Sequence, residues 1–140
     1  MIEVERISKA DWAAMASAAH LICFSEKLPA EAERVDFVIL ATESKKTPLG
    51  YFSCKEVSDT WVYVQYGGAF PSALGSSLSY KAYVKGIDWL RQRYSCATTL
   101  IENTNVVMLK IALKMGWKII GTKTFNGHIM VEHLLEFKCV

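Results

Sequence analysis

The hydrophobic and polar positions of the chain change period several times, and each change predicts an element. Residues 2–7 alternate and predict a strand. Ser8 stands three residues before Asp11, a spacing that predicts a capped helix start. The helix that follows carries one apolar stripe, which consists of Trp12, Met15, Ala16, Ala19, Ile22 and Cys23.

Three strands are predicted next, after a loop or short helix in residues 24–34. Residues 36–43 and 49–57 flank a polar turn, which favours a hairpin. Residues 60–67 are rich in aromatic and β-branched side chains and predict the third of these strands.

The second half returns to a helical period. Apolar residues from Tyr80 to Tyr94 recur at steps of three and four, which predicts a long helix ending near Ser95. Residues 96–101 lack polar alternation, as strands buried on both faces do. Asn126-Gly127 lies between two apolar segments and predicts a closing hairpin. The predicted order is therefore β α β β β α β α β β.

Residues 103–117 predict a short helix with a marked start and a marked end. Asn103 and Thr104 can accept from its first free N–H groups. Gly116 can take the left-handed conformation that ends a helix, with Trp117 packing back. Five side chains are expected to point inward: Val107, Met108, Ile111, Ala112 and Met115.

Composition bounds the class of protein. A chain of 140 residues is long enough for one domain, residues 1–140, with one core. Net charge +2 is too weak to indicate nucleic-acid or membrane binding. Two local basic clusters favour solvated helix faces, with a patch for an anionic ligand as the alternative: Lys81, Lys85, Arg91, Arg93 and Lys110, Lys114, Lys118, Lys123.

The cysteines and the apolar runs predict a cytoplasmic protein with no membrane span and no signal peptide. The four cysteines are 31, 42 and 43 residues apart and form no CxxC pair, so no zinc or other metal site is expected. Their thiols are expected to be reduced and mostly buried: Cys23, Cys54, Cys96 and Cys139.

The element order, and residues 60–121 in particular, resemble the GNAT superfamily of acyl-CoA-dependent N-acyltransferases. In that family an asparagine is followed at fixed steps by a small residue, an aliphatic-Tyr pair and Gly-Phe. Here those offsets hold Asn105, Met108, Ile111-Ala112 and Gly116-Trp117. The resemblance implies an α+β (α/β/α-like) fold, in which three or four helices flank a mixed, mostly antiparallel sheet of six to seven strands with a central parallel pair.

The resemblance also implies acetyl-CoA or another acyl-CoA as co-substrate, with its diphosphate at the start of the long helix. Backbone N–H groups at a helix start attract anions, and glycine lets the phosphate approach. The family pattern begins with Arg or Gln and ends with Gly or Ala, whereas this chain has Ser72 and Ser77 around Gly75. The residues predicted to bind the co-substrate are Ala69, Phe70, Ser72, Ala73, Leu74, Gly75, Ser76, Ser77 and Asn105. An ordinary helix start, and a capping or solvent-exposed role for Asn105, are the alternatives.

Acylation of an amine by a thioester needs a proton acceptor, a donor for the oxyanion and an acid for the departing thiolate. The resemblance implies backbone N–H groups of residues 66–69 as the oxyanion donor. Ala112 stands where the family's acidic tyrosine is usual, so Tyr66, Tyr80 and Tyr83 are the candidate acids, or simply core and rim aromatics.

The sequence indicates the proton acceptor less clearly than the acid. Gln65 stands where a glutamate is common in the family, and an amide cannot act as a base. His133 is predicted to be buried and hydrogen-bonded, with proton transfer as the alternative, whereas His20 and His128 show no partner pattern. Four carboxylates near strand ends are further candidates: Glu43, Glu56, Asp59 and Glu102.

Three hypotheses follow. The first is an acetyl-CoA-dependent N-acetyltransferase that acts on a small-molecule or peptide amine. The second is a GNAT-like binding or assembly module without catalysis, similar to small phage-encoded accessory proteins. The third is an unrelated α+β ligand-binding domain, in which strands 60–67 and 97–101 would not form a parallel pair that splays apart. The apolar last strand also allows a homodimer through the closing hairpin.

Overall fold

The computed structural model describes residues 1–24, 34–44, 46–73 and 76–137, with the backbone alone at residue 125. Over these residues the chain forms seven strands and three helices in the predicted order. The strands are β1 (Ile2–Ile7), β2 (Phe37–Glu43), β3 (Thr47–Glu56), β4 (Trp61–Ala69), β5 (Cys96–Glu102), β6 (Lys118–Phe125) and β7 (His128–Glu136). The helices are α1 (Lys9–Phe24), α2 (Ser77–Arg91) and α3 (Val106–Lys114). The loop predicted at 24–34 lies almost wholly outside the described residues.

The seven strands form one mixed sheet in the order β1-β2-β3-β4-β5-β7-β6. The pair β4–β5 is parallel and every other pair in the described sheet is antiparallel. Side chains alternate between the two faces, so Val38 and Tyr51 pack with α1 while Ile39 and Phe52 lie in the core under α2 and α3. The predicted fold class, an α+β sheet with a central parallel pair, is confirmed.

Helix α1 begins as the sequence indicates and buries most of its predicted stripe. The Ser8 hydroxyl accepts a hydrogen bond from the backbone N–H of Asp11 at 3.0 Å. Trp12, Ala16 and Ala19 are buried against the sheet, and Met15 and Cys23 are half-buried, so most of the apolar stripe lies inward. The prediction is wrong for Ile22, which is 52% exposed.

Helix α2 ends at Arg91, so the predicted end near Ser95 is wrong by one turn. The N–H of Tyr94 still bonds the Leu90 carbonyl at 2.9 Å, but the N–H of Ser95 bonds the Thr60 carbonyl at 2.8 Å. The apolar period continued past the helix because Tyr94 is a buried residue of the connection.

The cap of α3 is Asn105, so the predicted caps Asn103 and Thr104 are wrong. The Asn105 side-chain oxygen accepts from the N–H of Met108 at 3.2 Å. The three residues in a row are all of the capping type, and spacing alone does not select among them. The capping interpretation of Asn105 is therefore the observed one.

The end of α3 has the predicted form. Gly116 has φ +95°, in the left-handed region. Its N–H bonds the Leu113 carbonyl at 3.1 Å, and the N–H of Trp117 bonds the Ala112 carbonyl at 3.0 Å. These two bonds make a Schellman motif, and they fix the buried Trp117 ring under the helix.

Replacing Gly116 with alanine is expected to lower the free energy of unfolding by about 1–2 kcal/mol, because a Cβ disfavours positive φ. Gly121→Ala is the control, since Gly121 lies in β6 and an added Cβ would meet Glu132 Oε1 at an ordinary 3.5 Å. Urea unfolding of both variants measures the difference. An equal loss in both would contradict the left-handed role of Gly116.

The thiols are less buried than predicted. Cys54 is fully buried, whereas Cys23 and Cys96 are half-buried; all three are free thiols, and Cys139 lies outside the described residues. Burial raises the pKa of Cys23 to about 11, so its thiol stays protonated at neutral pH. Within the described parts of the chain, no helix has the length and apolar character needed to cross a membrane.

Candidate functional site

The parallel strands β4 and β5 separate part of the way along their length. They pair from Trp61 with Cys96 to Val64 with Thr99, and no pair follows among the described residues. Strand β4 nevertheless continues to Ala69 and β5 to Glu102. We call the opening beyond Val64 and Thr99 the wedge. It contradicts the third hypothesis, which required that these strands form no splayed parallel pair.

A β-bulge at Gln65 explains why the strands part. Tyr66 pairs with Ser53 and Val64 pairs with Cys54, so the register of β3 and β4 shifts by one residue at Gln65. A bulge bends its strand and increases the local twist, here directly beyond the last pair with β5. The pairing described for β4 and β5 therefore stops at Val64, although β4 runs on to Ala69.

Thr99 closes the ladder at the base of the wedge. Its hydroxyl donates to the Val64 carbonyl at 2.8 Å. This bond ties the two strands together at their last pair. The point of separation is thus fixed by a side chain.

A cavity of about 820 Å³ occupies the wedge. Its size lies within the usual range of small-molecule sites. The wall includes Cys23 and Phe24 from α1 on one face of the sheet, and Tyr83 and Ile111 from α2 and α3 on the other. The cavity therefore reaches both faces of the sheet.

Of the residues predicted to bind the co-substrate or to act as the acid, five line this cavity: Ala69, Tyr66, Tyr80, Tyr83 and Asn105. The sheet and both α2 and α3 contribute to this set, so residues far apart in the chain meet at the wedge. The structure thus brings these residues together around one space.

The tyrosines of α2 differ in their surroundings. The Tyr80 hydroxyl donates to the sulfur of Met115 at 3.3 Å, and Lys114 Nζ lies 5.0 Å from its ring centre. Tyr83 packs edge-on against Phe52 with ring centres 5.5 Å apart. Burial raises the pKa of Tyr83, so its phenol holds its proton at neutral pH.

Tyr66 belongs to the opposite, α1 side of the cavity. Its ring lies edge-on to His20 at 5.1 Å and to Phe24 at 5.6 Å. With the buried Tyr51 nearby, these rings give the α1 side an aromatic wall.

The serines before α2 are engaged by the fold itself. Ser76 caps the helix, because its hydroxyl accepts from the N–H of Leu78 at 3.2 Å and donates to the Ala73 carbonyl at 2.6 Å. The Ser72 hydroxyl donates to the Pro48 carbonyl at 2.6 Å. An anion at this helix start would therefore meet serine hydroxyls that already have partners.

The other residues predicted for the phosphate loop take varied positions. Phe70 is buried on the α1 side, 6.0 Å from the Tyr51 ring, and Ala73 is buried under α2. Ser77 is the exposed first residue of α2. Leu74 and Gly75 lie outside the described residues.

Of the four candidate carboxylates, Glu102 alone lines the cavity. It ends β5 and lies 2.8 Å from His128 Nδ1, with the carboxylate side chain 41% exposed. Glu43 instead binds the N-terminal ammonium at 2.8 Å, and Glu56 accepts from Tyr94. The His128 partner was not visible in the sequence, because the two residues lie on different strands, β5 and β7.

His133 is buried and hydrogen-bonded, as predicted. Its side chain is fully inaccessible, and its Nδ1 lies 3.0 Å from the Val131 carbonyl. Neither His133 nor Ala112 belongs to the cavity wall. Ala112 is fully buried in the core, so the family's usual tyrosine position does not face the cavity here.

Some wall residues were missed by sequence reasoning, including Cys23, Phe24, Tyr63 and Gly86. Gly86 gave a usable signal, since an isolated glycine inside a helical pattern often marks close packing. The others follow ordinary apolar periods, and only the paired sheet brings them to the wedge.

Comparisons with known proteins agree on this architecture. No family model and no curated protein matches the sequence. Among solved structures, the chain is similar to the ribosomal-protein-S18-alanine N-acetyltransferase of Escherichia coli, with 11% identity, TM-score 0.79, and 100% and 96% of the two chains covered.

Two further structures are also similar. The IAA acetyltransferase of Bacillus cereus matches with 15% identity, TM-score 0.74 and coverage of 97% and 99%. A GNAT family acetyltransferase of Elizabethkingia anophelis, solved with acetyl-CoA bound, matches with 12% identity, TM-score 0.73 and coverage of 96% and 97%. The chain therefore has the fold of the GNAT superfamily.

Proposed function

We propose that the chain is an acyl-CoA-dependent N-acyltransferase that transfers an acyl group to a primary amine by direct attack. The observation that carries this proposal is the cavity at the wedge, which reaches both faces of the sheet. A thioester and an amine can then approach one point from opposite sides, and holding both there replaces a bimolecular encounter. The likeness to an acetyltransferase with bound acetyl-CoA supports the same assignment.

The pantetheine arm of CoA would lie along β4 beyond its last pair with β5. No pair of Gly67, Gly68 or Ala69 with β5 is described, so their backbone groups can pair with the amides of the arm, as a sheet edge pairs with an added strand. Backbone N–H groups of the same stretch can donate to the oxyanion of the tetrahedral intermediate.

The diphosphate would lie at the start of α2. Backbone N–H groups and the helix dipole favour an anion there. Because Ser76 already caps the N–H of Leu78, the phosphate either uses the neighbouring N–H groups or displaces the serine hydroxyl. Residues 72–77 thus stay the proposed phosphate loop.

Tyr83 is the best candidate for the acid. Its phenol is protonated at neutral pH and its side chain belongs to the cavity wall. The Tyr80 hydroxyl already donates a hydrogen bond to the sulfur of Met115. Tyr66 lies on the α1 side of the cavity, where the amine would enter. A hydrogen bond from Tyr83 to the departing sulfur would stabilise the thiolate.

Glu102 is the best candidate for the proton acceptor. It lies at the cavity wall and is paired with His128, which can pass the proton to solvent. The carboxylate also attracts an ammonium group before it loses its proton.

A GNAT-like binding module without catalysis is the second candidate. Two observations favour it: Ala112 is buried in place of the usual acid, and the hydroxyls of Ser72 and Ser76 already bond to the fold. Such a module would bind CoA or another ligand at the wedge and transfer nothing.

Calorimetric titration with acetyl-CoA, followed by a transfer assay against a panel of amines and peptides, distinguishes the two. Binding with transfer supports the enzyme, and binding without transfer to any acceptor supports the module. Absence of heat at high micromolar protein would overturn CoA binding altogether.

Asn105 offers a separate test, because its two functions can be divided. Its oxygen caps α3, which leaves the amide NH₂ as the donor proposed for the pantetheine arm. Asn105→Asp keeps the capping oxygen and loses the donor, so stability is expected to hold while the Kd for CoA rises about 5- to 10-fold. Asn105→Ala should lower the unfolding free energy by about 1 kcal/mol and should also raise the Kd for CoA. Unchanged CoA affinity in both variants would contradict the proposed contact.

A further inference from the structure

The end of α3 lies against the part of α2 that carries two of the candidate acids. The Tyr80 hydroxyl donates to the Met115 sulfur at 3.3 Å, and Lys114 Nζ lies 5.0 Å from the Tyr80 ring centre. Tyr83 follows Tyr80 by three residues and therefore lies on the same side of α2. Trp117 follows Met115 by two residues, lines the same cavity as Tyr83 and belongs to the core cluster against which Tyr83 packs.

Trp117 carries a buried polar group for which the fold completes no hydrogen bond. The residue is 3% exposed, and its indole N–H reaches no acceptor at hydrogen-bond geometry among the described residues. A donor buried in this way is costly and rare in native structures, so it calls for an explanation. The phenylalanine of the GNAT pattern would pack at this position without burying a donor.

The group that this N–H affects is the phenol of Tyr83. Burial raises the pKa of Tyr83, and the nearby indole N–H of Trp117 acts in the opposite direction. A donor near a phenol oxygen favours the negative charge that grows there as the phenol gives up its proton. Burial is the larger of the two effects, so Tyr83 still holds its proton at neutral pH.

The two rings are held by different parts of the fold. The Schellman motif at Gly116 fixes the Trp117 ring under α3, and Phe52 supports the Tyr83 ring edge-on, with ring centres 5.5 Å apart. A Cβ on Gly86 would lie 2.7 Å from Phe52 Cε2, so this glycine of α2 allows Phe52 its position. With both rings fixed, the main freedom left is the rotation of the Tyr83 O–H, and a donor at the phenol oxygen restricts it.

We propose that Trp117 is a positioning residue for the acid: in the acyl-CoA complex its indole N–H donates to the phenol oxygen of Tyr83 and so directs the Tyr83 O–H towards the thioester sulfur. This inference rests on the proposed function, because it takes Tyr83 as the acid. Catalytic hydrogen bonds are often poorly aligned before the substrate binds and tighten in its complex. As the C–S bond breaks, its electron pair goes to sulfur, which accepts from the Tyr83 O–H. Negative charge grows on the phenol oxygen, where the indole N–H stabilises it.

The indole N–H signals of the four tryptophans in an NMR spectrum test this contact without any turnover. In the complex with CoA, Tyr83→Phe is expected to move the Trp117 indole proton upfield, because the proton loses its acceptor. Trp12 is the matched control, since it is 4% exposed, its indole N–H is also unpaired in the described structure, and it does not line the cavity. Trp12→Phe and Trp117→Phe assign the two signals; if Trp117→Phe does not fold, Trp61→Phe and Trp89→Phe identify the Trp117 signal by elimination. An unmoved Trp117 signal would overturn the inference and leave the transfer reaction untouched.

Kinetics test whether Trp117 acts through Tyr83. Trp117→Phe is expected to lower kcat about 3- to 10-fold and to change the KM for acetyl-CoA by less than about twofold, whereas Trp12→Phe should leave kcat unchanged. In the Tyr83→Phe background Trp117→Phe should have no further effect, because the oxygen on which the indole acts is absent. Equal losses in the two backgrounds would show a merely structural role and would overturn the inference. Absence of transfer by the unmodified protein would instead overturn the proposed function, and the catalytic role of Trp117 with it.

Discussion

Tyr83→Phe is expected to lower kcat for acyl transfer about 100-fold while the Kd for acetyl-CoA changes by less than about twofold. The phenol oxygen is the only atom removed, and general acids of this kind typically contribute 10²–10⁴ to the rate. Because burial raises the pKa of Tyr83, the unmodified enzyme should show no loss of this acid below about pH 10, where a free tyrosine titrates. The rate measured with the best amine of the transfer panel, from pH 6 to 10, checks both points.

Tyr94→Phe is the control for that change. Tyr94 also has a raised pKa because of burial, and its hydroxyl bonds Glu56 at 2.5 Å, away from the wedge. Its loss is expected to affect stability and not kcat. Full activity in Tyr83→Phe, with both variants folded, would remove Tyr83 from the mechanism.

Glu102→Gln is expected to lower kcat/KM about 10- to 100-fold at pH 7, where most primary amines are ammonium ions. The amide keeps the size of the side chain but can accept no proton. As pH rises, more of the acceptor is already the free amine, so the difference from the unmodified protein should narrow towards pH 9. A pH profile of kcat/KM for both proteins measures the narrowing.

Glu132→Gln is the matched control for Glu102. Glu132 is a carboxylate on the neighbouring strand β7, it lies 3.5 Å from Lys123, and it does not line the cavity. Its neutralisation should leave the profile unchanged. Equal losses in both variants would show a general effect of surface charge and would count against Glu102 as the base.

Local signals in the sequence predicted most of the fold. Gly116 and Asn126-Gly127 end their elements for reasons that lie within a few residues, since both turns require positive φ. The change from an alternating to a helical period is also a local signal, and it predicted the positions of α2 and α3. Where several neighbouring residues satisfied one rule, as at the start of α3, the sequence could not choose among them.

The site depends on relations between distant residues, and these were only partly predictable. The wedge begins where the register of β3 and β4 shifts at Gln65 and where the Thr99 hydroxyl bonds the Val64 carbonyl. Both features join residues of different strands, so the sequence of one segment does not reveal them. The pairing of Glu102 with His128 likewise needs the order of β5 and β7.

Among the residues that line the cavity, the small ones were the hardest to predict from the sequence. Ala41 and Ala82 are ordinary apolar positions of a strand and a helix, and only the packed structure shows that both line the cavity. Gly86 was visible as an isolated glycine, but its contact with Phe52 was not.

A crystal structure with bound CoA is the most direct test of the central claim, that the parted strands β4 and β5 grip an acyl-CoA. We predict that the pantetheine arm lies against residues 65–69, with its sulfur near Tyr83 and its diphosphate against residues 72–77. A complex in which the wedge stays empty and the nucleotide binds elsewhere on the chain would contradict that claim.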